Sequence, residues 1–205
     1  MSSDLRWWIA SGVFLAAFIL LGFYVTHTGL SRLDVEAVAL RDHSTTLAAL
    51  FTLTGRSLPL LLIAAVGIGI LAFARANLWI GVIILVSQVA SQGAVELFKQ
   101  LFNRPRPDYW LIARDLGNSY PSGHASTAII FYGAWIAVIA ASSLPKTLAI
   151  PAIGLIVLWA IGIDFSRLAL GAHYVTDVIG GTLFGAAWLC AAIALIQHFH
   201  VSVQS

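Results

Sequence analysis

Two histidines, three basic side chains and an aspartate stand in short polar stretches between long uncharged apolar runs. Pro121-Ser122-Gly123-His124 is one stretch, Ser166 to Asp177 with Arg167 and His173 is another, and Lys99 and Arg106-Pro107 lie just upstream. A phosphate monoester or diphosphate carries several negative oxygens. A site for it wants a point-charge lysine, forked arginines and backbone N–H donors, preferably at a helix N-terminus. Lys99, Arg106 and Arg167 supply the side chains. Pro121 and Ser122 suit a helix start, and Gly123 lets the backbone approach an anion closely.

The two histidines have separable jobs. His173 stands four residues before Asp177. On the first turn of a helix the two would share a face, and the carboxylate would hydrogen-bond one imidazole nitrogen. That bond sets the tautomer and stabilises positive charge while the other nitrogen attacks phosphorus. His124, beside the anion cradle, is placed to protonate the departing oxygen.

Taken singly, each residue has a plainer reading. A lone His or Arg at a membrane interface usually meets headgroups or snorkels, and His27, His43, His198, His200, Arg32 and Arg41 are read in that way. Glu96 with Lys99, and Asp164 with Arg167, could be helix-surface ion pairs at i,i+3. Tyr109 and Trp110 are read as part of an interfacial aromatic belt. Cys190, the single cysteine, lies in an apolar run and permits no intrachain disulfide.

The elements that must position these residues follow from composition. Hydrophobic residues make up 60% of the 205 residues and charged residues 10%, with a mean hydropathy of +0.91. So apolar and charge-poor a chain is an integral membrane protein. The net charge of +2 gives no ground for a nucleic-acid partner. Six uncharged runs are each about long enough to cross a roughly 30 Å hydrocarbon layer as a helix. They run near Trp7–Val25, Ser57–Ala74, Leu78–Val95, Ala125–Leu144, Thr147–Ile163 and Val178–Gln197. None alternates as a barrel strand would, so the predicted fold is all-α and polytopic, a single domain over residues 1–205. The first run is long for a signal-peptide core and no clean small-residue cleavage site follows, so it reads as an anchor.

An even number of spans puts the connections after the first, third and fifth on one side. The stretches Thr26–Arg56, Glu96–His124 and Asp164–Asp177 then share one membrane face, which carries every candidate site residue. Of the basic residues only Arg6, Arg75 and Lys146 fall on the other side. A plain Lys/Arg count would place the motif face in the cytoplasm.

Lys99 followed after six residues by Arg106-Pro107, then Pro121-Ser122-Gly123-His124, then Ser166-Arg167 with His173 and Asp177, resembles the three-part signature of the type 2 phosphatidic acid phosphatase family. All three parts match at full spacing across Lys99 to Asp177, and the set is far more specific than any part alone. The resemblance implies an all-helical core and a phosphatase needing neither metal nor cofactor, whose membrane members dephosphorylate lipids through a phosphohistidine. By motif position it implies phosphate binding by Lys99, Arg106, Ser122, Gly123 and Arg167, with His124 as acid, His173 as nucleophile and Asp177 as its partner. It also implies a multi-pass protein of the cytoplasmic membrane with its site on the extracytoplasmic side, against the Lys/Arg count. Expected substrates are undecaprenyl diphosphate, phosphatidylglycerol phosphate or phosphatidic acid. Two rivals stand beside it. One is a vanadium-haloperoxidase-like enzyme, which six apolar runs disfavour. The other is a non-enzymatic anion transporter, which would want polar residues through the midplane beyond Ser87, Gln88, Ser91 and Gln92.

Overall fold

The computed structural model describes residues 3–42, 45–108 and 117–199. His43, Tyr109, Trp110 and His200 lie outside the described residues. Within them every regular element is helical. In hydrocarbon a backbone polar group has no water to bond, so an apolar chain satisfies its N–H and C=O groups within its own segment.

Helix α1 spans Ser3–His27 and is followed by the short α2, Arg32–Glu36, and one 3₁₀ turn, Ala37–Leu40. Next come α3 (Thr45–Leu53), α4 (Ser57–Phe73) and α5 (Trp79–Phe102). Helix α6 (Gly123–Thr127) continues through a π-turn, Ala128–Tyr132, into α7 (Gly133–Ala141), and α8 (Lys146–Ala169) and α9 (Val175–His198) follow.

Among the described residues, five helical stretches are long and apolar enough to cross a membrane: Asp4–His27, Trp79–Phe102, Gly123–Ala141, Lys146–Ala169 and Val175–His198. The predicted second span is α4, whose 17 residues make a rod of about 25 Å. It reaches spanning length only together with α3, from which it is bent by 60°. Counting that pair as one gives the sixth span.

The helices outrun the uncharged stretches at the site face. Helix α5 continues past Val95 to Phe102, and α8 past Ile163 to Ala169. Lys99 and Arg167 therefore stand on final helical turns, not in the predicted connections. The physical reason is that a helix needs only backbone bonding to continue, and charged side chains at its end reach the interface or a polar cleft.

An aromatic cluster ties together the helix ends that carry the site. Phe18 of α1 stacks on Tyr120 with centroids 5.5 Å apart and meets Phe98 of α5 edge-on at 4.9 Å. The Tyr120 hydroxyl donates to the Phe18 carbonyl at 2.6 Å. Small residues bring α9 against α6: a Cβ on Gly181 would strike the Ser122 carbonyl oxygen, and one on Gly185 would come within 3.0 Å of that of Ser126. Close backbone approach of this kind holds helices together in lipid, where burying apolar surface gains little. The polar side chains of α5 serve packing too. Gln88 and Gln92 both donate to Thr127, at 2.9 and 2.8 Å, and Ser87 accepts from Trp188 at 2.9 Å.

Candidate active site

Helix α8 ends in a tight reversal at Gly171, whose φ of +67° glycine adopts without steric cost. The N–H groups of Ala172 and His173 bond back to the Arg167 carbonyl at 3.0 and 3.2 Å. The reversal sets His173 before α9, not on its first turn as the spacing suggested. Asp177 occupies the third position of that helix, where its Oδ2 accepts the Tyr174 N–H at 2.9 Å. His173 Nδ1 and Asp177 Oδ2 are 3.5 Å apart and both side chains are buried.

Ser119 sits between them. Its hydroxyl makes a short hydrogen bond to Asp177 Oδ2 and lies 3.4 Å from His173 Nδ1. On the other side of the imidazole, Arg106 Nη1 is 3.2 Å from Nε2. Arg106 is aimed there by bonds to the carbonyls of Gly117 (3.0 Å) and Ala172 (3.3 Å). Burial, reinforced by the positive charges of Arg167 and Arg106, pushes the His173 pKa down to about 4 against the opposing pull of Asp177. The ring is thus neutral at neutral pH, with one nitrogen facing a carboxylate and the other an arginine.

The fourth span begins beside this pair. Ser122 caps α6, its Oγ accepting the Ala125 N–H at 3.4 Å, and its own N–H donates to the Asp177 carbonyl at 3.0 Å. That bond joins the starts of α6 and α9. At Gly123 an added Cβ would meet no protein atom closer than 3.5 Å. Protein packing therefore does not demand glycine here, whereas close approach of an anion to the helix N-terminus would. His124 Nε2 lies 3.2 Å from the Thr52 carbonyl. Arg167 is 2% exposed and donates to the Thr52 hydroxyl through a short bond.

Arg106, Arg167, His124, His173, Asp177, Ser122 and Gly123 thus converge where the ends of α5, α6, α8 and α9 meet. Lys99 is placed differently. Its Nζ donates to Glu96 at 3.2 Å, the i,i+3 pair, and its carbonyl accepts the Asn118 amide at 2.9 Å. The other suggested pair does not form: Asp164 receives the Thr182 hydroxyl at 3.5 Å while Arg167 turns to Thr52.

Sequence reasoning missed Ser119, Thr52, Arg104 and Asp34. Arg104, 4% exposed, donates from Nη1 to Asp177 Oδ1 at 2.6 Å and to the Thr176 hydroxyl at 2.7 Å, and from Nη2 to Asp34 Oδ2 at 3.0 Å. The only local signal was a second Arg-Pro pair, Arg104-Pro105, directly before Arg106-Pro107.

With this geometry in view, the relationship to known proteins is informative. A model of the PAP2 superfamily matches residues 76–200. This chain belongs to the PAP2 superfamily. The PAP2 protein is 31% identical over 133 residues to phosphatidylglycerophosphatase B of Bacillus subtilis (strain 168), covering 62% of each chain. It is 30% identical over 131 residues to a lipid A 1-phosphatase of Rhizobium johnstonii, covering 58% of this chain and 48% of that one. The matched stretches thus span 62% of the first relative and about half, 48%, of the second. Its fold is that of a transmembrane PAP2-type phosphatidylglycerolphosphate phosphatase from Bacillus subtilis, with a TM-score of 0.76 at 21% identity over 92% of this chain and 96% of the other.

Proposed function

We propose that this PAP2 protein is a lipid phosphate phosphatase that works through a phosphohistidine at His173. The observation that carries the reading is the imidazole held between Arg106 at Nε2 and the Asp177–Ser119 pair at Nδ1. In the reaction the Nε2 lone pair attacks phosphorus and the ester P–O bond breaks, its electron pair leaving with the alcohol oxygen. His124 delivers the proton to that oxygen. Arg106 and Arg167, with the backbone N–H groups at Ser122–Gly123, bind the phosphoryl oxygens, and Lys99 joins them on release from Glu96. Asp177 balances the positive charge on the phosphorylated ring. Water then attacks phosphorus with His124 as base, the N–P bond breaks and phosphate departs.

The same cationic groups neutralise the phosphate without a divalent ion. The named specificities of the relatives, together with spans that hold the site at one membrane face, favour a lipid substrate. Phosphatidylglycerol phosphate, phosphatidic acid and undecaprenyl diphosphate are the candidates, met at the extracytoplasmic side of the cytoplasmic membrane.

The test is phosphate release from a panel of these lipids by the purified protein in detergent, with chelator throughout. Release by the native chain, and none by His173→Ala, is expected. Undiminished turnover by His173→Ala would overturn the phosphohistidine route, and activity only on added magnesium would overturn the metal-free one.

A further inference from the structure

The short α2 lies outside residues 76–200, the stretch matched by the family model, yet it delivers a carboxylate to the innermost part of the site. We infer that Asp34 and Arg104 are positioning residues for His173, acting through Asp177. The inference rests on the reading of His173 as the attacking group.

Asp34, Arg104, Thr176 and Asp177 are all at most 4% exposed. Asp34 Oδ1 accepts the Thr176 N–H at 3.0 Å and hydroxyl at 2.9 Å, and its Oδ2 accepts from Ser31 N at 3.1 Å and from Arg104. One guanidinium is therefore shared between two buried carboxylates, with its face over the Tyr174 ring at 4.5 Å. Arg104 also places the second partner of Asp177, because its carbonyl accepts the Ser119 N–H at 2.8 Å. Its side chain fixes one Asp177 oxygen and its backbone aims the hydroxyl that meets the other.

Charge explains why two acids accompany one arginine. With His173 neutral, Asp34, Asp177 and Arg104 carry a net charge of −1, a costly state for buried groups. When the imidazole gains a phosphoryl group or a proton it becomes cationic and the four-membered cluster becomes neutral. Asp34 thus draws on the arginine that would otherwise be committed wholly to Asp177, and leaves Asp177 with negative charge to set against the ring.

Among the described residues, the other groups facing His173 are Arg106 beside Nε2, Arg167 from α8 and His124 from α6. Tyr174, with Arg41 and Asp108 near its hydroxyl, lies under Arg104. None of these changes in the two substitutions that test the inference.

Asp34→Asn keeps the volume and an oxygen for the Thr176 N–H but loses the charge. Arg104→Gln loses the cation beside Asp177. On the full chain in detergent, with a short-chain lipid phosphate and kcat/KM followed against pH, the two should move the acid limb in opposite directions. The limb shifts to lower pH in Asp34→Asn, because a negative charge is gone, and to higher pH in Arg104→Gln, each by on the order of one unit. Arg104→Gln should also lose about a hundredfold in kcat/KM at neutral pH, because Asp177 loses the guanidinium that fixes its Oδ1. A purely structural role would lower the melting temperature and leave the limb where it is. Limbs that stay in place, or move the same way in both variants, overturn the inference. Should Arg104→Gln fail to fold, the direction in Asp34→Asn decides alone. His173→Asn run in parallel separates the two readings: full turnover there sinks the phosphohistidine, whereas an inactive His173→Asn with unmoved limbs sinks only the role of Asp34 and Arg104.

Discussion

Replacing His173 with Asn should flatten the acid dependence of stability. His173 is 5% exposed and its pKa in the folded protein is about 4, against about 6.5 for an unfolded chain. Between those values the unfolded state binds a proton that the folded state does not, so stability rises with pH across the window. Going down in pH, the loss begins below about 6.5 and is complete below about 4. The gap of about 2.5 units, at 1.36 kcal/mol per unit, makes this a change of about 3 kcal/mol. For a chain of this size that is roughly 6 to 12 °C in melting temperature. The assay is thermal unfolding in one detergent from pH 7 to pH 4, for the native chain and His173→Asn. The native chain should lose that much more than the variant over the window, whatever the other acids contribute to both. If the difference in melting temperature is constant from pH 7 to pH 4, His173 is not held neutral by its surroundings and the argument from burial is wrong.

Replacing His124 should slow release of a lipid alkoxide far more than release of an activated aryl phenolate, which needs no proton. His173→Ala should be equally inactive on both, and equal losses in the two variants on both substrates would refute the division of roles. Thr52→Val removes the hydroxyl that receives Arg167; a hydrogen bond to a buried charge contributes about 1.5–3 kcal/mol, so kcat/KM should fall roughly ten- to a hundredfold, and an unchanged value would mean that Arg167 does not rely on Thr52. A cysteine placed at Asn118 in a Cys190→Ala background should react with a membrane-impermeant thiol reagent in intact cells. Labelling only after the membrane is opened would place the site on the cytoplasmic side.

Much of the candidate site was legible because its proposed chemistry is written in residue types at short spacing. Arg106, Ser122, Gly123, His124, Arg167, His173 and Asp177 are each recognisable beside a neighbour a few positions away, and the apolar runs between them imply helices that gather them on one face. Apolar runs mark where lipid can be met, but a helix does not stop at its first charge. The ends of α5 and α8 therefore lay beyond reach of that pattern, as did the 60° bend between α3 and α4. Asp34 meets Arg104 across 70 residues, Ser119 meets Asp177 across 58, and Thr52 meets Arg167 across 115. In sequence these are an ordinary capping aspartate, a serine before Tyr-Pro and a threonine inside an apolar helix. Which residues are candidates to handle a phosphate was decided by the sequence itself. How the histidine's carboxylate is held was decided only by tertiary structure, because a buried charge takes its partners from whatever the packed helices bring within about 3 Å, and no local pattern records that distance.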